Sequence, residues 1–451
     1  PETCMIISGN PEAPISSGAL FETNLDLIQQ NNLTHIVKKI EFLCDDGVGN
    51  FLLCKLIRVL YEDEEYGAVM AGIEYLDNSD SESEDDYVMP ETRDAIRDVA
   101  SKLTHILPNV DKLHIEGSYP GPALLMLYYE LCHKLNHQLF YINTDTHNAS
   151  LPYSTAPKLK RMCVTLEDND KDIHKCIIPP SLTKLNLYFG DDFEWVAFVA
   201  YNWAAFTNIT YLKIEFDKRQ GSPIIKPKLP VYKKPKVLFP CLTRLAIRHA
   251  PFTKYNCRAL MQSPIQILEY TGPVSIANHL CTYAPSSIKV LRVEIEEAHK
   301  HRSTNDDTFR LESNITCAYL DLRAQKTNID MAQTYWPQFT HVRLDISRNH
   351  NIGATVQALP NAVFLHLVFA LDDKSEYGKL KQALTKMKQE CDGPWASKVQ
   401  KLIIEFPSRK PQSSLIRSLS VLKQYLPLVD EIEVCTIKRT DLDIAKQIIM
   451  V

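Results

Sequence analysis

One short phrase returns along this chain: Pro-x-apolar-x-x-apolar-x-apolar. It reads LPNVDKLHI (Val110, Leu113, Ile115), APKLKRMCV (Leu159, Met162, Val164), PPSLTKLNL (Leu182, Leu185, Leu187) and FPCLTRLAI (Leu242, Leu245, Ile247). It returns as WPQFTHVRL (Phe339, Val342, Leu344), LPNAVFLHL (Ala362, Leu365, Leu367) and LPLVDEIEV (Val429, Ile432, Val434). Without the proline, further units open at Val37, Ile209, Ile265, Ile288, Cys317 and Val399. A unit that repeats at such spacing cannot bury its apolar face alone, so neighbours must stack into a solenoid.

The apolar triplet by itself is weak. With 45% hydrophobic residues, about 40 chance matches are expected in a chain this long. The spacing and the prolines carry more weight. Four of the twelve intervals between the thirteen units are 23 residues and one is 22, inside the roughly 20–29 residue period of leucine-rich repeats. Seven of the thirteen units place Pro two residues before the first apolar position. With 26 Pro in 451 residues, fewer than one is expected.

Each part of the unit has a physical role. The last two apolar residues, such as Leu185 and Leu187, share one face of a short strand because strand side chains alternate. Proline before the strand ends any preceding helix and extends its predecessor. Intervening segments such as GDDFEWVAFVAYNWAAF (with Asp191 or Asp192 as N-cap), KSEYGKLKQALTKMKQE and PETRDAIRDVASKLTHIL read as helices. Short strand–helix–strand connections demand a parallel sheet with helices on one side. The expected fold is therefore α/β: an irregular leucine-rich-repeat solenoid, with the parallel sheet on the concave face and helices on the convex face. Residues 1–35 are expected to be an N-terminal segment with one capping helix, and residues 36–451 a solenoid of about 13 units.

Two insertions interrupt it. Residues 77–86 read DNSDSESEDD, in which Ser79, Ser81 and Ser83 among acids are candidate phosphosites for an acidophilic kinase. Residues 217–237 hold Lys226, Lys228, Lys233, Lys234 and Lys236 with four prolines, an extended basic loop suited to an acidic or phosphorylated partner.

A net charge of −5 gives no global bias toward nucleic acid or membrane. No apolar run approaches a membrane span, and the N-terminus lacks the basic start and apolar core of a signal peptide. The twelve cysteines contain no C-x-x-C pair, which disfavours a zinc site and reads as buried thiols in a reducing compartment, cytoplasmic or nuclear. The sequons at Asn208 and Asn314 sit at strand starts and read as chance matches. No P-loop, G-x-G-x-x-G, G-x-S-x-G or H-E-x-x-H occurs, so neither catalysis nor a cofactor is expected.

Strand alternation sorts candidate ligand-facing residues from core ones. The outward positions are Lys184, Asn186, Tyr188; Tyr211, Lys213, Glu215; Arg244, Ala246, Arg248; Val290, Arg292, Glu294; Tyr319, Asp321, Arg323; and His341, Arg343, Asp345. Arg, Tyr and Lys dominate, and Arg and Tyr are enriched at protein–protein hot spots. The candidate binding set is Lys184, Tyr188, Tyr211, Lys213, Arg244, Arg248, Arg292, Tyr319, Arg323 and Arg343, facing an acidic or phosphorylated protein. Glu431, Glu433 and Cys435 make the C-terminal end acidic.

Degenerate repeats opening with LP-x-L-x-x-L-x-L, scattered cysteines and a helical pattern leading into IVKKIEF resemble the leucine-rich-repeat part of fungal-type F-box proteins over roughly residues 20–451. The resemblance implies a substrate-recognition module of a ubiquitin ligase, whose F-box docks a Skp-type adaptor. No F-box is recognisable in this chain, so it either lies outside the chain or is absent, and a Skp-type adaptor is a partner only in the first case. The asparagine ladder of regular repeats is also missing: the position three after Leu187 is Gly190. The alternative is a scaffold or inhibitor subunit of another intracellular or nuclear protein or RNA complex, with nucleic acid disfavoured.

Overall fold

The structure, a computed structural model, describes residues 3–9, 28–44, 60–61, 90–116, 122–144, 156–166, 178–189, 203–216, 237–296, 317–324, 335–345, 352–369, 397–406 and 422–435, with single positions 56, 309, 311, 315, 382, 384, 394 and 419. The acidic segment with Ser79, Ser81 and Ser83, and the lysines Lys226, Lys228, Lys233, Lys234 and Lys236, lie outside the described residues. So do Asp191 and Asp192. The chain divides into two compact units, Pro1–Tyr232 and Lys233–Val451.

The first unit carries strands β1 (Thr3–Gly9), β2 (Val37–Cys44), β3 (Lys112–Glu116), β4 (Tyr141–Thr144), β5 (Arg161–Leu166), β6 (Lys184–Phe189) and β7 (Tyr211–Phe216). Each pairs in parallel with the next. Helices α1 (Pro90–Ile106) and α2 (Pro122–Lys134) separate strands, and a 3-10 turn spans Trp203–Asn208. Both helices open on Pro, whose missing N–H costs nothing in the first turn. In α1, Ile96, Val99, Ala100 and Leu103 are buried, and in α2 Leu124, Leu127, Tyr128 and Leu131. That i, i+3, i+4, i+7 stripe is the face each helix buries; α1 packs on α2, and α2 lies against β3.

The second unit repeats the plan with β8 (Arg244–Arg248), β9 (Ile267–Gly272), β10 (Val290–Ile295), β11 (Tyr319–Ala324), β12 (His341–Asp345), β13 (Phe364–Val368), β14 (Lys401–Glu405) and β15 (Glu431–Cys435). These also pair in parallel in chain order. Between them stand α3 (Lys254–Leu260), α4 (Val274–Thr282), α5 (Ile352–Gln357) and α6 (Leu422–Tyr425). Strand, turn and helix recur with an open parallel sheet. Both units are leucine-rich-repeat-type solenoids.

The register stacks like on like. One row of the second unit runs Ile247, Tyr270, Val293, Leu322, Leu344, Leu367, Ile404, each at most 2% exposed. In the first unit Ile40, Leu113, Ile142, Met162, Leu185 and Leu212 align likewise. Tertiary stacking, not local propensity, makes these short strands stable.

The recurrent proline does a further job beside the one expected: helices end at Ile106 and Tyr425, two residues before Pro108 and Pro427, and the proline also shapes a turn. In six of the seven proline units the first apolar N–H donates to the carbonyl three residues back, as in Leu182 to Pro179 and Leu242 to Phe239. Proline is thus the second residue of a β-turn, where its fixed φ is already correct. The strand begins two residues after the first apolar position.

A polar ladder does exist, at the strand entry rather than its exit. The side chain just before the first apolar residue donates to a turn carbonyl of the preceding repeat. Asn109 reaches His35 O, Gln138 Pro108 O, Asn208 Pro180 O and Asn361 Pro337 O, at 2.8–2.9 Å. Ser181 reaches Leu159 O and Ser287 Ile265 O, both at 2.8 Å. Backbone carbonyls at the turns thereby gain partners that water would otherwise supply. Asn208, read as a chance sequon, has a structural use.

Two strands escaped the sequence pattern. β1 lies within the segment read as a helical cap, of which residues 28–30 are helical. β4 has Thr144 where the third apolar residue should be and no preceding proline.

Candidate functional site

With helices on one side, each unit presents the alternate strand positions on the other. Along β6 and β7 the alternation is clean: Lys184 is exposed, Asn186, Tyr188, Tyr211, Lys213 and Glu215 are half-buried, and every intervening residue is buried. Lys213 Nζ donates to the Tyr188 hydroxyl at 2.8 Å and pairs with Glu215 at 2.6 Å. Burial disfavours its charge, but those two partners outweigh it and hold its pKa above the ordinary value.

The second unit departs from the expectation of an open basic surface. Its central outward row reads Glu269, Arg292, Asp321, Arg343, His366 across β9 to β13. From Glu269 to Arg343 carboxylates and cations alternate, and each arginine finds an acid on a neighbouring strand. Arg292 and Arg244 both pair with Glu269, at 2.8 and 3.1 Å. Arg343 bridges Asp321 at 3.2 Å and Glu405 at 3.4 Å, and His366 Nε2 lies 2.9 Å from Glu405. Arg323 holds the other oxygen of Asp321 at 2.9 Å.

This network is buried. Asp321, Arg343, His366 and Glu405 expose 1%, 6%, 2% and 0% of their surface. Tyr319, in the same strand as Asp321, is 1% exposed. Arg343 and Tyr319, read from strand parity as ligand-facing, are therefore internal, because alternation assigns a face but not whether that face meets water. Desolvation alone would raise the pKa of Glu405, but His366 and Arg343 outweigh it and hold the carboxylate below its ordinary 4.5. Of the other expected positions, Arg248 is exposed, Arg244, Arg292 and Arg323 are half-buried, and the last three are charge-paired.

The first unit is different, and its outward row was mostly missed. Across β2 to β7, in register, stand Lys39, Lys112, Tyr141, Arg161, Lys184 and Tyr211. The rule that selects Lys184 also selects Lys112 and Arg161, while Tyr141 required β4 to be recognised. Among the described side chains on this face, five cations (Lys39, Lys112, Arg161, Lys184, Lys213) meet two carboxylates (Glu41, Glu215). Lys39 pairs with Glu41 at 2.8 Å and Lys213 with Glu215. Arg161 and Lys184 are both exposed.

No group of three or more His, Cys, Asp or Glu suited to a metal occurs among the described residues. Cys132, Cys163, Cys257, Cys281 and Cys317 are buried, and burial pushes the Cys257 thiol up to about 12, which makes it a poor nucleophile at neutral pH. No described helix is long and apolar enough to cross a membrane.

No protein-family model and no curated protein matches the sequence. Among solved structures, the chain is similar to one titled "Crystal structure of TLR13-ssRNA13 complex", at 10% identity and a TM-score of 0.32. The alignment covers 88% of this chain and 65% of that one, less than two thirds of its length. A TM-score of 0.32 decides nothing about function.

Proposed function

We propose that this chain is a protein-interaction module that captures its partner on the outward strand face, as the substrate-recognition repeats of an F-box-type ubiquitin-ligase receptor do. One observation carries the reading: successive parallel strands place charged and aromatic side chains in register on the side free of helices, as in the row from Lys39 to Tyr211. Such a ribbon offers the Arg and Tyr groups that dominate hot spots on a backbone already fixed by the sheet.

The test is capture from a cell extract with the protein immobilised. Tyr211→Ala with Lys184→Ala is expected to weaken retention of the principal partner by about thirtyfold, the effect of one lost hot spot. Lys254→Ala with Tyr255→Ala on α3, both exposed, should leave it intact. Loss with the α3 pair and retention with the strand pair would overturn the reading. Recovery of a Skp-type adaptor with the full-length protein supports the ligase role, and its absence restricts the module to another assembly.

A further inference from the structure

Two halves of one repeat plan treat charge oppositely. In the second unit every arginine of the central row faces a carboxylate on the adjacent strand. In the first, Arg161 and Lys184 are direct register partners, as are Lys39 and Lys112. Like charges placed directly across neighbouring strands destabilise a sheet. Arg161 has Phe140 below it, its guanidinium carbon 5.7 Å from the ring centroid. Among the described residues neither Arg161 nor Lys184 has a carboxylate partner. Stability does not account for this pair.

Resting on the reading above, we propose that the row Lys39, Lys112, Tyr141, Arg161, Lys184, Tyr211 binds an extended acidic segment of the partner protein. The order is cation, cation, tyrosine, repeated once. Six strands at about 4.8 Å spacing span roughly 24 Å, the reach of about seven extended residues. The Arg161–Lys184 pair, direct register partners, offers a seat for one carboxylate. Burial, with the neighbouring Cys163, Tyr188 and Glu41 adding to it, raises the Tyr141 phenol to about 12, although Arg161 opposes this. It therefore remains a hydrogen-bond donor at neutral pH. Both tyrosines are half-buried between in-register neighbours, which leaves little ring face for a stacking base and favours peptide over nucleic acid.

The experiment is fluorescence anisotropy of a labelled octapeptide of alternating Glu and Ser, titrated with the whole chain at two salt concentrations. Binding is expected to weaken as salt rises, and Lys184→Glu to reduce it about thirtyfold. The same substitution replaces a like-charge pair with an opposite pair, so the melting temperature should hold or rise. Lys254→Glu should change neither quantity. Absence of peptide binding while partner capture through the strand face persists would overturn this inference and leave the previous one standing. Tighter binding of an eight-nucleotide single-stranded RNA than of the peptide, equally sensitive to Lys184→Glu, would overturn the choice of partner.

Discussion

Replacing Arg343 with Met is expected to lower the free energy of unfolding by about 3 kcal/mol, measured by urea denaturation at pH 7. The side chain is 8% exposed and links Asp321 to Glu405. Breaking a buried ion pair by removing one partner costs about 3–5 kcal/mol, because the remaining charge stays buried. The lower end applies here, since Asp321 keeps Arg323 and Glu405 keeps His366. A loss below about 1 kcal/mol would mean the network contributes no more than an exposed pair.

The pH dependence follows from the same geometry. Glu405 has a folded-state pKa below its ordinary 4.5, so its contribution is complete above that value and is lost as pH falls through the folded pKa. Without Arg343 one of the groups holding it down is gone, and acid unfolding of the variant should begin at higher pH than in the parent. Identical acid limbs in the two proteins would contradict this placement of Glu405.

The second large effect lies in the apolar stack. Leu344 is fully buried between Leu322 and Leu367, its register partners on β11 and β13. Leu344→Ala should cost about 2–5 kcal/mol, the loss of transfer free energy plus the cavity left behind. Each repeat touches only its neighbours, so the loss should reach the adjacent strands as faster amide exchange in β11 and β13. A loss under 1 kcal/mol would mean the stack collapses around the gap.

The contrast between these residues shows what was legible in the sequence. Leu344 was, because alternation and spacing are local and both point to the same face. All thirteen expected strands form, at the position the apolar triplet specifies. β4 was hidden because Thr144 breaks the triplet, and β1 because Glu2 stands where the first apolar residue should be, three before Met5. The solvent exposure of Arg343 was not legible. Its partner Glu405 lies 62 residues away, and whether a strand face is wet depends on such distant segments. Glu269, which takes both Arg244 and Arg292, shows the same lesson: cations read singly suggest a basic surface, but cations read in register reveal a neutral ladder.

Register also exposes the one pair of the first unit's outward row, Arg161 and Lys184, that has no carboxylate partner among the described residues, and lysine-acylation footprinting of the free and partner-bound protein tests the role of that row most directly. Lys112 and Lys184 on the outward face of the first unit are expected to lose reactivity when the partner binds, while Lys134 on α2 and Lys254 on α3 keep theirs. Protection of Lys134 and Lys254, with Lys112 and Lys184 still fully reactive, would contradict the assignment of the strand face as the binding surface.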